Sequence, residues 1–401
     1  MADANLFAWV ALFMWPIVAV VFYKSLSLPV ALCTTIIGGY LLLPEGVEVD
    51  LPTLPALNKH TIPALCAVAL TALFVRQPDQ RWPVQPGWLP KSLMVRGFMG
   101  LLLVGALGTT MTNGEALYYG VNLIPGLRPY DAFSVVLGLA ISLIPFVLGR
   151  KVLASFAGQR LLLIALVISA AAYAFLALYE VRMSPQLNNM VYGFFPHSWV
   201  QHVRGNGFRP LVFLNHGLWL GIYLALAAVA AAGLLRIDKT KERGIWVLAG
   251  MWLLGTLFLT KSLGPLMITF GLLPIVFFFP KRSQVLAAAT IAAIVLTFPV
   301  ARTTSLIPLD QITSFAAKVD PARAQSFQYR LDNEEILLAK AQEKPFFGWG
   351  GWARNRVFDE TGQDISTPDG SWIIELGIGG WARYIGVFGL LSWGILALLR
   401  R

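Results

Sequence analysis

Arg160-Leu-Leu-Leu-Ile-Ala-Leu-Val-Ile-Ser-Ala-Ala-Ala-Tyr-Ala-Phe-Leu-Ala-Leu-Tyr179 decides the fold class. After Arg160 it carries no charge, and at about 1.5 Å of rise per residue a helix of this length crosses a hydrocarbon core of about 30 Å. Backbone N–H and C=O groups find no water inside lipid, so they must bond within their own segment, and the segment is a helix. Runs of the same kind recur on both sides. The apolar pattern predicts further spans at 6–23, 28–44, 61–76, 97–113, 131–149, 211–235, 244–260, 264–280, 283–302 and 377–399. The expected fold is therefore an all-α, polytopic integral membrane protein. It has about 11 transmembrane helices and one large loop before the last of them. Composition agrees: 57% of the 401 residues are hydrophobic and 13% are charged, where a soluble domain carries about 25%. The first run lacks a basic leader and a small-residue cleavage site, so it reads as an anchor and not as a signal peptide.

The net charge of +10 does not point to nucleic acid, because the basic residues sit in short gaps between spans. Arg76, Arg81, Lys91 and Arg96 fill one gap, and Arg150, Lys151 and Arg160 another. Arg236, Lys239, Lys241 and Arg243 fill a third, Lys281 and Arg282 a fourth, and Arg400 with Arg401 ends the chain. Such gaps stay on the cytoplasmic side. They alternate with acidic or mixed segments, among them Glu45, Glu48 and Asp50 and the long stretches 180–210 and 303–376. The expected orientation puts those stretches and the N-terminus outside and the C-terminus inside. Cys33 and Cys66 both fall within spans and read as apolar packing residues.

The spans are nearly free of charge, with His216 and Arg383 as the main exceptions. A transporter carries ionisable groups inside its helices, so this sparseness moves attention to the two long outer segments. The first, 180–210, holds His197, His202, Arg204 and Arg209 among Tyr192, Phe194, Phe195 and Trp199. Its aromatic residues fit either an interfacial belt or a stacking surface for sugar rings. The second carries an amphipathic helix expected at 326–342, ended by Pro345 and followed by a turn with Gly348, Gly350 and Gly351 around Trp349 and Trp352. Gly348-Trp-Gly-Gly lacks the Lys-Ser/Thr of a phosphate loop. The four histidines are scattered and show no metal-ligand spacing, and there is no nucleophile elbow. Neither metal nor cofactor is expected.

Three stretches resemble the O-antigen ligase and O-antigen polymerase family. Arg204-Gly-Asn-Gly-Phe-Arg209-Pro-Leu-Val-Phe-Leu-Asn215-His216-Gly-Leu-Trp219 is similar to its Arg…Gly-x-Phe…Asn-His pattern. Tyr329-Arg330-Leu, followed by Ala341-Gln-Glu-Lys-Pro-Phe-Phe-Gly-Trp349-Gly350, resembles its Arg…Glu-x-Pro-Phe-Gly-x-Gly signature. Asp369-Gly-Ser-Trp-Ile-Ile-Glu375-Leu-Gly377, with Gly386 and Gly389 after it, resembles its closing motif. The likeness covers about residues 200–392. It divides the chain into N-terminal helices, 1–180, and a ligase/polymerase-like region, 181–401, with periplasmic loops 180–210 and 303–376. Two departures stand out. Leu263 occupies the place of a family arginine in Thr260-Lys261-Ser-Leu263, where Lys261 can substitute. Asp369 occupies the place of a ligase histidine, which favours a polymerase.

The resemblance implies a metal-independent glycosyltransferase of a bacterial inner membrane. It would transfer glycan from an undecaprenyl diphosphate carrier to an acceptor glycan, beside other polysaccharide assembly proteins. Negative charge grows on the leaving diphosphate, and guanidinium groups grip phosphate oxygens in pairs. Arg204, Arg209 and Arg330 are the candidates for that role, against the plainer reading of headgroup or loop contacts. Asp369 is the candidate base, with His202 as competitor, and Asp369-Gly370 also reads as a turn. Asn215, His216, Lys261, Trp349 and Trp352 are the candidate substrate-binding residues. Asn215 and His216 equally suit a helix cap. The alternatives are a lipid-linked oligosaccharide flippase or other transporter, and a structural subunit of an envelope secretion complex.

Overall fold

The computed structural model describes residues 4–51, 53–75, 82–205, 207–238, 242–304, 306, 308–319 and 321–399. Arg76, Arg81, Lys239, Lys241, Arg400 and Arg401 from the basic gaps lie outside the described residues. The helices are α1 (Leu6–Ser25), α2 (Leu28–Leu42), α3 (Thr61–Phe74), α4 (Leu93–Met111), α5 (Pro129–Val152), α6 (Phe156–Met183) and α7 (Leu187–Tyr192). They continue as α8 (Gly217–Ile237), α9 (Arg243–Leu259), α10 (Leu263–Phe278), α11 (Lys281–Thr303), α12 (Leu309–Val319), α13 (Pro321–Glu343) and α14 (Ser371–Leu398). A small antiparallel ribbon, β1 (Leu117–Tyr119) with β2 (Asn122–Ile124), interrupts them. The protein is thus all-α in class. Among the described residues seven helices are long and apolar enough to cross a membrane: α1, α4, α5, α6, α8, α11 and α14. Four of the eleven expected runs form shorter apolar helices, α2, α3, α9 and α10.

The chain forms two compact units, Met1–Leu89 with Ala140–Gln284, and Pro90–Leu139 with Val285–Arg401. The division does not fall at residue 180, because helices from both sides of that position pack in one core. In the first unit α8 is the central helix. Its small residues Gly221, Ala227, Ala228 and Ala231 are buried and let α6, α9 and α10 approach closely. Several polar groups packed around α8 are paired. The Tyr223 hydroxyl lies 2.6 Å from Ser169 Oγ, and Trp252 Nε1 donates to the Ala171 carbonyl at 3.0 Å.

In the second unit α4 packs along α14. Gly386 lies against Leu102 and Gly389 against Phe98, so these two motif glycines are packing positions. α14 is broken at Gly380, whose φ of +61° is in the left-handed region that favours glycine. A methyl group there would strike the Phe346 carbonyl. The segment 345–350 supplies the hydrogen bonds that the break interrupts. Trp349 N and Gly350 N donate to Gly377 O (2.9 Å) and Ile378 O (2.8 Å), and Trp381 N and Ala382 N donate to Pro345 O (2.8 Å) and Phe346 O (3.2 Å). The helix expected at 326–342 is present as α13 and starts earlier, at Pro321.

Candidate functional site

The candidate residues fall in both units. In the first unit the loop after α6 is ordered by one carboxylate. Glu180, fully buried, accepts the N–H groups of Leu187 (2.9 Å), Leu211 (2.9 Å) and Val212 (2.7 Å). That grip holds Val212 at a φ of +57°, a strained value for a β-branched residue. Further along, a short hairpin-like turn brings Arg204 and Arg209 together. Arg204 N donates to Gly207 O (2.9 Å), and Arg209 N donates to His202 O (2.8 Å). Lys261 fastens this turn by donating from Nζ to the Arg204 carbonyl at 2.8 Å, so its role here is to hold the arginine loop. The Arg204 side chain is exposed, whereas Arg209 is buried and donates from Nε to Ser262 Oγ at 3.2 Å.

His202 is completely buried, with Nδ1 3.2 Å from the Arg209 carbonyl. Burial, and then the charges of His197, Arg209 and Arg204, push its ring down to about 4 against the pull of that carbonyl. It is neutral near pH 7 and wholly buried, whereas the Asp369 carboxylate is half exposed. His216 caps α8, its Nδ1 accepting from Leu218 N at 3.0 Å. Burial and the Arg209 charge push it, too, down to about 4. Asn215 is exposed and lines a cavity of about 290 Å³ with Tyr40, Glu45, His60, Leu214 and Trp219. An aromatic wall with a carboxylate and an amide is a surface suited to a sugar. Burial alone would raise the Glu45 carboxyl, but the His60 contact and the Lys59 charge outweigh it and hold it below its ordinary value. Lys59 is itself buried, and donates to Phe213 O at 2.9 Å. Sequence reasoning missed Tyr40, Glu45 and His60, because helices α3 to α7 lie in sequence between them and the loop they join.

In the second unit Arg330 and Asp369, 39 positions apart, form an ion pair with Nε 3.4 Å from Oδ2. The helical spacing suggests that Arg330 pairs with Glu334 instead. That carboxylate turns to Trp372, accepting from Nε1 at 3.1 Å. Burial raises the Glu334 carboxyl above its ordinary value, with Asp369 adding to the rise and Arg302 and Arg330 opposing it. Two guanidinium groups and two carboxylates thus influence one another here, and Arg302 and Glu334 were not recognised from the sequence as members of this group.

Trp349 does not offer a free ring. It is buried, donates from Nε1 to Lys340 O at 2.7 Å, and has the Lys340 and Lys344 ammonium groups 3.6 and 4.4 Å from its ring centroid. Its place in the motif is explained by packing. Trp352 is exposed at a φ of +53° and remains available for stacking. Beside it the fully buried Arg354 donates to the carbonyls of Trp349 (3.2 Å), Glu115 (3.0 Å) and Pro125 (2.8 Å), which makes it an anchor of the turn.

The histidines, scattered in sequence, are not all separate in space. His197, His202 and His216 meet in the first unit, with one ligand atom from each lying within 4.8 Å of the others. Scans of family models, of curated proteins and of solved structures return no match to this chain.

Proposed function

We propose that the protein is a membrane glycosyltransferase that extends or transfers glycan carried on undecaprenyl diphosphate, at the periplasmic face of a bacterial inner membrane. The reading rests on the resemblance of three motifs, and one observation carries it furthest. Arg330 and Asp369, drawn from two of those motifs, stand within 3.4 Å of each other beside Glu334. A guanidinium to hold a diphosphate oxygen and a carboxylate to take a proton are the two groups that the reaction needs. The acceptor hydroxyl oxygen attacks the anomeric carbon, its proton passes to a carboxylate, and the bond from that carbon to the diphosphate oxygen breaks. The lipid diphosphate leaves with the bonding pair, and the Arg330 guanidinium meets the growing charge. By analogy with oxyanion sites, each such contact is worth about 10²–10³ in rate.

The orientation in this proposal puts the N-terminus and the segments 180–210 and 303–376 in the periplasm and the C-terminus in the cytoplasm. All eleven apolar helices cross the membrane. The donor is the lipid-linked oligosaccharide and the acceptor a second glycan, with other polysaccharide assembly proteins as neighbours. The test is purified protein in detergent, given lipid-diphosphate oligosaccharide without ATP, Mg²⁺ or Mn²⁺. A ladder of longer glycans on a gel is expected. A second reading, movement of the lipid-linked glycan across the bilayer, has one observation in its favour. α14 is a broken helix, and Glu375 and Arg383 pair across the break at 2.5 Å, which is a feature of transport pathways. A folded protein that builds no ladder in detergent but moves the lipid across proteoliposomes would replace the first reading with the second.

A further inference from the structure

The loop that carries Arg204 and Arg209 also gathers three imidazoles from separate stretches of chain. His197 precedes a turn of 3-10 helix at Trp199–His202, His202 closes that turn, and His216 sits at the start of α8. The ring centroids are 5.7 Å (His197–His202), 4.9 Å (His197–His216) and 5.1 Å (His202–His216) apart.

We propose that His197, His202 and His216 bind one borderline divalent cation, with Zn²⁺ the best fit. Two buried nitrogens argue for it. His202 donates Nδ1–H to the Arg209 carbonyl, which fixes the tautomer and leaves the lone pair on Nε2. That Nε2 is fully buried and has no hydrogen-bond partner, and the same holds for Nδ1 of His197. A buried acceptor without a donor loses the hydrogen bonds it would make in water, so two in one cluster ask for an occupant. An imidazole anchored to a backbone carbonyl, as His202 is, is a common zinc ligand, and three imidazoles leave a fourth position open.

The distances require a modest adjustment. Zn–N bonds of about 2.0–2.1 Å place tetrahedral ligand atoms about 3.3 Å apart, so nitrogens now within 4.8 Å must close in. The rings sit on loop and helix-end residues, and side-chain rotation supplies that movement. His216 has a second cost. Its Nδ1 accepts the Leu218 N–H, so binding through the other nitrogen moves the ring proton to Nδ1 and gives up that cap. The binding free energy of zinc at a protein site outweighs both costs.

The surrounding charge shapes the fourth ligand. Arg209 and Arg204 place positive field on the cluster, which opposes a bare cation but favours an anion on the metal. Hydroxide or a phosphate oxygen therefore suits the open position better than water. Bound metal would cross-link the segment ahead of the arginine turn to the start of α8, fixing the loop from both ends.

The proposal stands apart from the glycan chemistry and is tested without it. Untagged full-length protein in detergent is equilibrated with Zn²⁺, passed through a desalting column and analysed for metal by mass spectrometry. About one zinc per chain is expected, retained by His60→Ala and lowered at least tenfold in affinity by His197→Gln. Co²⁺ in place of Zn²⁺ should give the visible absorption of a four-coordinate site in the unaltered protein, a result that does not depend on any variant folding. No retained zinc and no cobalt spectrum in the unaltered protein would overturn the site. So would equal zinc in the unaltered protein and in folded His197→Gln.

Discussion

Arg330 Nε stands 3.4 Å from Asp369 Oδ2, with the two side chains 60% and 49% exposed. An exposed pair of this kind adds only about 0–1 kcal/mol to stability, so neither residue is placed by the needs of folding. Arg330→Lys keeps the charge and loses the planar fork that grips two oxygens. Turnover is expected to fall at least about tenfold, about 1.4 kcal/mol of transition-state stabilisation, with the size-exclusion profile unchanged. Normal glycan length with both Arg330→Lys and Arg330→Ala would remove this residue from the site.

Glu180 supports the arginine turn from a distance. Its carboxylate is the acceptor for three main-chain N–H groups. Glu180→Ala leaves those donors buried without a partner, and a loss of about 3 kcal/mol or more is expected. Thermal unfolding in detergent measures it, and Glu180→Gln, which keeps one acceptor oxygen, should fall between the two. Equal melting temperatures for all three proteins would contradict the pinning role.

Gly380→Ala should destabilise the second unit. The new methyl group meets the Phe346 carbonyl, and alanine at a φ of +61° is strained by about 1–2 kcal/mol before any clash. The expected signs are earlier protease cleavage in 345–350 and a changed fluorescence from the buried Trp349. An unchanged cleavage pattern would mean that the kink tolerates a side chain.

Stability of the metal-free protein should depend on pH through His202 and His216. Both titrate at about 4 when folded, below the ordinary histidine value of 6.5. Between those values the unfolded chain holds more protons than the folded one, so stability falls as pH drops from about 6.5 towards 4. The slope of melting temperature against pH across that window should be shallower in His202→Gln. An identical slope would show that the ring is not held neutral by its surroundings.

Cysteine scanning addresses orientation. Positions in 185–205 and 305–370 are expected to react with a membrane-impermeant reagent from outside, and 237–243 are not. Labelling of 237–243 in intact cells would invert the arrangement.

Much of the helical framework was legible in the sequence, because the apolar runs are long and the charges stay between them. Charged residues near helix ends blurred the boundaries. α14 begins at Ser371, six residues before the expected span, since Glu375 reads as an end signal until Arg383 is seen to pair with it. α6 runs from Phe156 to Met183, past both ends of the expected 160–179, and Asp238 holds Arg160 at 2.7 Å. The ribbon at 117–124 is too short to leave a pattern. Arg330 and Asp369 were recognised singly from motifs, but their pairing was not, because a loop of 27 residues between α13 and α14 sets it. The three histidines escaped for a related reason. Their spacing of five and fourteen residues matches no helix or hairpin periodicity, and only the folded loop brings them together.

The break in α14 is bridged by the chain that precedes it, and this has a mechanical consequence. A free glycine kink is a hinge, since nothing resists rotation about it. Here segment 345–350 is bonded to Gly377 and Ile378 on one side and to Trp381 and Ala382 on the other, like a splint laid across a joint. Bending at Gly380 would have to rupture bonds on both flanks together. The elbow is therefore stiff, and a push arriving along α13 would displace both halves of the last helix as a single lever.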